Sequence, residues 1–175
     1  MKAVIIVVAS LALTGCITMP ETYAPPVQRK PVMVDQAPKT ARRLLRMIEP
    51  ETDTYIVQDI PRNDKGPWRW AGKRPTVRLF LTSVADSKFH VEYSVADATF
   101  KDTGPQVFQF FVNGKLLAEE RRDQPGSYVF EKPVPPELLK PNSENDLAVE
   151  VDKPWIAPGD GAKLGFIITA IGFSR

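Results

Sequence analysis

His90 is the only histidine of the chain and Cys16 its only cysteine, so little is at hand for a nucleophile with its base or for a zinc site. His90 stands in Phe89-His90-Val91-Glu92-Tyr93-Ser94-Val95, a run that alternates apolar and polar residues. On a strand it shares a polar face with Glu92 and Ser94, where a solvated, non-catalytic role is expected. Glycoside hydrolysis needs two carboxyl groups facing each other across a cleft, and the acids here are scattered. Glu119-Glu120 beside Arg121-Arg122 reads as a solvated hairpin edge that resists strand addition. There is no Gly-x-Ser-x-Gly elbow, no phosphate-binding glycine loop and no metal-ligand spacing, each of which would mark a reaction class. The expectation is a protein with no catalytic residue, no metal and no cofactor, and so not an enzyme.

Binding is better provided for. Trp68-Arg69-Trp70 lies between Gly66-Pro67 and Ala71-Gly72-Lys73, and Trp155 lies in Lys153-Pro154-Trp155-Ile156. An indole at a loop end can stack on the C–H face of a sugar ring while polar neighbours bond its hydroxyls. Trp68, Trp70 and Trp155 are therefore the candidate ligand-binding residues. The competing expectation is that these rings plug the ends of a hydrophobic core, where large aromatics are often used.

The N-terminus carries a different kind of signal. Lys2 precedes an apolar run from Ala3 to Leu13, too short for the roughly 20 residues that span a bilayer and of the length of a secretory leader. The run ends in Leu13-Thr14-Gly15-Cys16, which resembles the lipobox of bacterial lipoprotein precursors. That resemblance implies a leader over 1–15, a diacylglyceryl group on the Cys16 thiol, cleavage after Gly15 and acylation of the new amino group. Two or more acyl chains hold stably to a membrane where one holds only marginally. Ile17 follows the cysteine, which resembles the enteric signal for the outer membrane. The alternatives are an ordinary leader, which would leave a lone thiol in an oxidising compartment, or an uncleaved anchor.

Residues 16–50 read as a tether. Pro20, Pro25, Pro26, Pro31, Pro38 and Pro50 remove backbone donors and favour extended chain. About 30 such residues reach at most ~90 Å. Within the tether, Leu44, Leu45 and Ile48 share one helical face, with Arg42, Arg43 and Arg46 on the polar side. Such an island would serve as a basic turn on anionic headgroups or as a short lead-in that docks on the domain, and the second is favoured because helices below about 12 residues are marginal alone. Removing the leader lowers the net charge of +2 by the one charge of Lys2. A near-neutral secreted chain without basic and aromatic interleaving is not expected to bind nucleic acid.

Residues 51–175 are expected to form one all-β domain, a β-sandwich of about eight strands. Tyr55-Ile56-Val57, the alternations over 77–82 and 89–95, the run 107–112, Lys115 to Ala118, Tyr128 to Phe130, 147–151 and 164–173 are the strands. Asn113-Gly114 between two of them is a strong hairpin signal, because both positions need positive φ. The last strand is nearly all apolar and is expected to be central. No helical pattern of useful length separates the strands, which excludes parallel βαβ units.

Val112-Asn113-Gly114, Gly126-Ser127-Tyr128-Val129-Phe130 and Asn145-Asp146-Leu147-Ala148-Val149-Glu150-Val151 together resemble galactose-binding-like jelly rolls, which occur as accessory modules of glycoside hydrolases and carbohydrate esterases. Asp160-Gly161-Ala162-Lys163-Leu164-Gly165-Phe166 also resembles sandwich domains found beside bacterial glycosyltransferases. The resemblance implies a jelly-roll sandwich and a non-catalytic binding module. Its partner would be an envelope glycan or a protein, and the membrane would be reached through Cys16. A structural subunit of an envelope complex and an envelope carbohydrate-active enzyme are the other readings.

Overall fold

The structure, a computed structural model, describes residues 42–62 and 66–175; the leader, Cys16 and most of the tether lie outside the described residues. In chain order the strands are β1 (Leu44–Arg46), β2 (Ile56–Gln58), β3 (Arg69–Ala71), β4 (Thr76–Leu81), β5 (Lys88–Val95), β6 (Gln106–Val112), β7 (Lys115–Arg122), β8 (Gly126–Pro133), β9 (Ser143–Val151), β10 (Trp155–Ile156), β11 (Lys163–Leu164) and β12 (Phe166–Ser174). A short helix, α1 (Asp97–Thr103), joins β5 to β6.

Two antiparallel sheets face each other. One runs β1-β12-β5-β8, with β3 also paired to β12; the other runs β2-β4-β9-β6-β7. The expected all-β sandwich of jelly-roll type is what the chain forms, and the eight expected strands are β2, β4 to β9 and β12. The last strand is central, paired with β5 on one side and with β1 and β3 in tandem on the other. Asn113 (φ 50) and Gly114 (φ 80) both take the positive φ that the β6–β7 hairpin turn requires. The Asn145 side chain is buried and holds the 140–143 turn, accepting from Lys140 N and donating to Lys140 O and Ser143 O. That is the physical reason for an asparagine ahead of the β9 alternation.

The core is made by the inward residues of the alternating strands, and it is strongly aromatic. Phe89, Tyr93, Phe130 and Phe166 come from one sheet and Phe108 and Phe110 from the other. Phe110 stacks on Phe130 with centroids 3.6 Å apart, and Phe89 meets Phe110 edge-on at 6.0 Å. At the margin of this cluster Arg122 donates to the Tyr93 hydroxyl at 2.9 Å. Burial dominates there and pushes the phenol up to about 12.

The helical reading of residues 44–48 is corrected by the structure. Leu45 and Met47 are buried while Leu44 and Arg46 point away, an alternation of period two, and β1 pairs with β12 through Leu44–Gly172, Leu45–Ile171 and Arg46–Ala170. An open strand edge supplies hydrogen bonds that an isolated turn cannot, so tertiary pairing overrides the weak local helix preference. The folded body consequently takes in residues upstream of the expected boundary at Glu51. β12 bulges between Ile168 and Ala170, and the Thr169 carbonyl accepts Met47 N–H at 2.9 Å.

The polar cluster around His90 is tighter than solvation alone implies. The ring lies on the outer face of its sheet, 3.2 Å from carboxylate oxygens of both Glu92 and Glu131. Glu131 also accepts from Lys88 Nζ and Ser174 Oγ, each at 3.0 Å. The Lys88 bond, then those of His90 and Ser174, lower its carboxyl to about 2.

Candidate functional site

β3 and the β10–β11 hairpin are too short to show a period in sequence, and between them they form the candidate site. β3 lies against the start of β12, with Trp70 opposite Ile167 and flanked by the buried Arg69 and Ala71. The hairpin pairs Trp155 with Leu164 and Ile156 with Lys163. Its base is tied to β3 by Gly165 N–H donating to Ala71 O at 2.7 Å. A Cβ at Gly165 would lie 2.3 Å from the Gly72 carbonyl oxygen, so only glycine admits this approach.

A surface pocket of about 350 Å³ opens where these elements meet. Trp68, 37% exposed, and the half-buried Trp70 form one wall; Asp160, Ala162 and Leu164 of the hairpin form the other, and Arg62 stands at the margin. Asp160 is its acidic lining residue among the described ones. Asp160 Oδ1 accepts Ala162 N–H at 3.0 Å, and Ala157 and Ala162 share a backbone bond of 2.9 Å that closes the tip. Arg62 Nε lies 3.6 Å from Asp53 Oδ2, and the other Asp53 oxygen pairs with the buried guanidinium of Arg69. Flat indole faces with one cation and one anion at the margin suit a ligand that has an apolar face and polar edges.

The structure brings Trp68 and Trp70 together and leaves Trp155 outside their pocket. The Trp155 indole N–H donates to Asp102 Oδ2 on α1 at 2.6 Å. None of the three tryptophans belongs to the buried core, so they do not plug the sandwich. Sequence reasoning missed Arg62 and Asp160. Pro158-Gly159-Asp160-Gly161 was legible only as a turn, and nothing in it points to residue 62. A larger cavity of about 620 Å³ lies at the other end of the sandwich, between the 82–88 segment and residues such as Val134 and Pro136. No aromatic residue lines it, so it offers no stacking platform.

Fold and pocket together define an all-β sandwich module with an aromatic surface site. The family described as the β-galactosidase second all-β domain matches residues 55–154, more than half of the chain, and the chain belongs to that family. No curated protein matches it.

Proposed function

We propose that the protein is a lipid-anchored envelope lipoprotein whose sandwich is a non-catalytic glycan-binding module, with the Trp68–Trp70 pocket as its binding site. The observation that carries this reading is the pairing of two accessible indoles with Arg62 and Asp160 in one pocket, on a domain of a β-galactosidase family. Stacking supplies affinity for a pyranose ring, and the charged groups select the arrangement of its hydroxyls. A single acid among the described lining residues fits binding better than two-carboxylate hydrolysis.

The placement of the pocket accommodates an anchor at Cys16. Trp70 sits beside the first residues of β12, while β1, near where the described chain begins, pairs with Ala170 to Gly172 further along it. The five steps from Ile167, opposite Trp70, to Gly172, opposite Leu44, at ~3.3 Å each separate the two by roughly 16 Å.

Titration with β-1,4-galactotetraose, alongside a glycan array that includes envelope polysaccharides, tests the binding. Trp70→Ala is expected to weaken it by about thirtyfold, the scale of a loss of ~2 kcal/mol at an aromatic hot spot. Absence of binding to every glycan would remove the reading. The anchor is read from the intact mass of protein extracted from membranes. A chain beginning at Cys16 with added fatty-acid mass is expected, and a chain still bearing its leader would contradict it.

A further inference from the structure

The β10–β11 hairpin is one wall of the pocket, yet it belongs to neither sheet. A two-stranded hairpin is marginal by itself, and this one has only two residue pairs. Its position depends on what holds its sides. On the side of β3, the Gly165 to Ala71 bond fixes the base. On the side of α1, the Trp155 indole N–H reaches the Asp102 carboxylate at 2.6 Å, a bond to an ionised acceptor and hence of the stronger kind. β11 borders the pocket through Leu164 and β10 borders α1 through Trp155, so the hairpin is suspended between the helix and the indole platform.

We infer that Asp102 and Trp155 are positioning residues for the pocket: their bond sets where Asp160, Ala162 and Leu164 stand relative to Trp68 and Trp70. The inference rests on the glycan-binding reading for its consequence, though not for its structural content. With the bond intact the wall is preorganised, and a ligand does not have to order it. Without the bond the hairpin samples more positions, and each binding event must select one of them. Neither residue lines the pocket, which distinguishes them from Trp70.

Asp102→Asn keeps the size of its side chain and removes the charge of the acceptor; Trp155→Phe keeps an aromatic ring, though a smaller one, and removes the donor. Backbone hydrogen exchange in the full chain is expected to quicken at Ala157 and Gly161–Ala162 in both variants, while the rest of the sandwich keeps its protection. Affinity for β-1,4-galactotetraose is expected to fall several-fold, and by no more than about tenfold, the worth of one whole charge-assisted hydrogen bond, in Trp155→Phe. Asp102→Glu, which retains a carboxylate, should recover part of both effects. Unchanged exchange in the hairpin would overturn the inference whatever the ligand does. Faster exchange with unchanged affinity would overturn it as well. If the wild-type chain binds no glycan, the proposed function falls and hydrogen exchange alone still decides the latch.

Discussion

Gly172→Ala is expected to lower the unfolding free energy by about 3 kcal/mol, at the upper end of what overpacking costs. A Cβ at this position would lie 2.2 Å from the Arg43 carbonyl oxygen and 2.6 Å from Leu44 Cα. Both are backbone atoms, and that same oxygen accepts Phe173 N–H at 2.6 Å. In a regular sheet neighbouring strands stand about 4.8 Å apart with Cβ pointing out of the plane, so β1 must arrive partly over the face of β12 here. The sheet can relieve the clash only by lifting β1, which uncovers Leu45 and Met47, each almost wholly buried. Exposing two such side chains costs about 1.5–3 kcal/mol apiece, or about 3–6 kcal/mol together, so the expected figure is the lower end of what releasing β1 would cost. For a domain of this size that is a fall in melting temperature of roughly 10 °C. Gly159→Ala, with nothing within 4 Å of its added Cβ, should leave the melting temperature unchanged. Faster proteolysis over 42–50 in the Gly172 variant would show that β1 is the element released. A Gly172→Ala protein as stable as the wild type would mean that β1 does not dock this way.

The same strand shows where the sequence could and could not be read. β4, β5, β6 and β9 each run six residues or more with one face buried, long enough for a period of two to declare itself. β1, β3, β10 and β11 have two or three residues each, and a period cannot be recognised in so few. They exist because β12 offers a second edge and because Gly165 lets the hairpin approach β3. The helix α1 escaped for a related reason, since seven residues make barely two turns. At the pocket, Trp68 and Trp70 were legible from residue type. Arg62 and Asp160 were not, because they come from loops about a hundred residues apart. Trp155 had the right chemistry but stands on the strand that borders α1.

Asp53→Ala should cost about 2–3 kcal/mol of stability and also weaken the pocket, and the two effects can be separated. Asp53 pairs with the Arg69 guanidinium, which is 4% exposed, and lies within 3.6 Å of Arg62. Arg69 keeps one further acceptor, the Met47 carbonyl at 3.3 Å, so losing the carboxylate strands a buried charge. Breaking a buried pair from one side costs about 3–5 kcal/mol, and the partial exposure of Asp53 lets water lower that figure. Replacing Arg69 by methionine removes the charge that needs the carboxylate, and such replacements are often neutral or stabilising. In an Asp53→Ala/Arg69→Met double variant the stability should therefore return to within about 1 kcal/mol of the wild type, a coupling read directly from the cycle. The affinity should not return. Arg62 would still lack the carboxylate that helps to hold it at the margin, so β-1,4-galactotetraose should bind the double variant as weakly as the single one. Recovery of affinity together with stability would show that Asp53 acts only by balancing Arg69, and that Arg62 is placed by its other contacts.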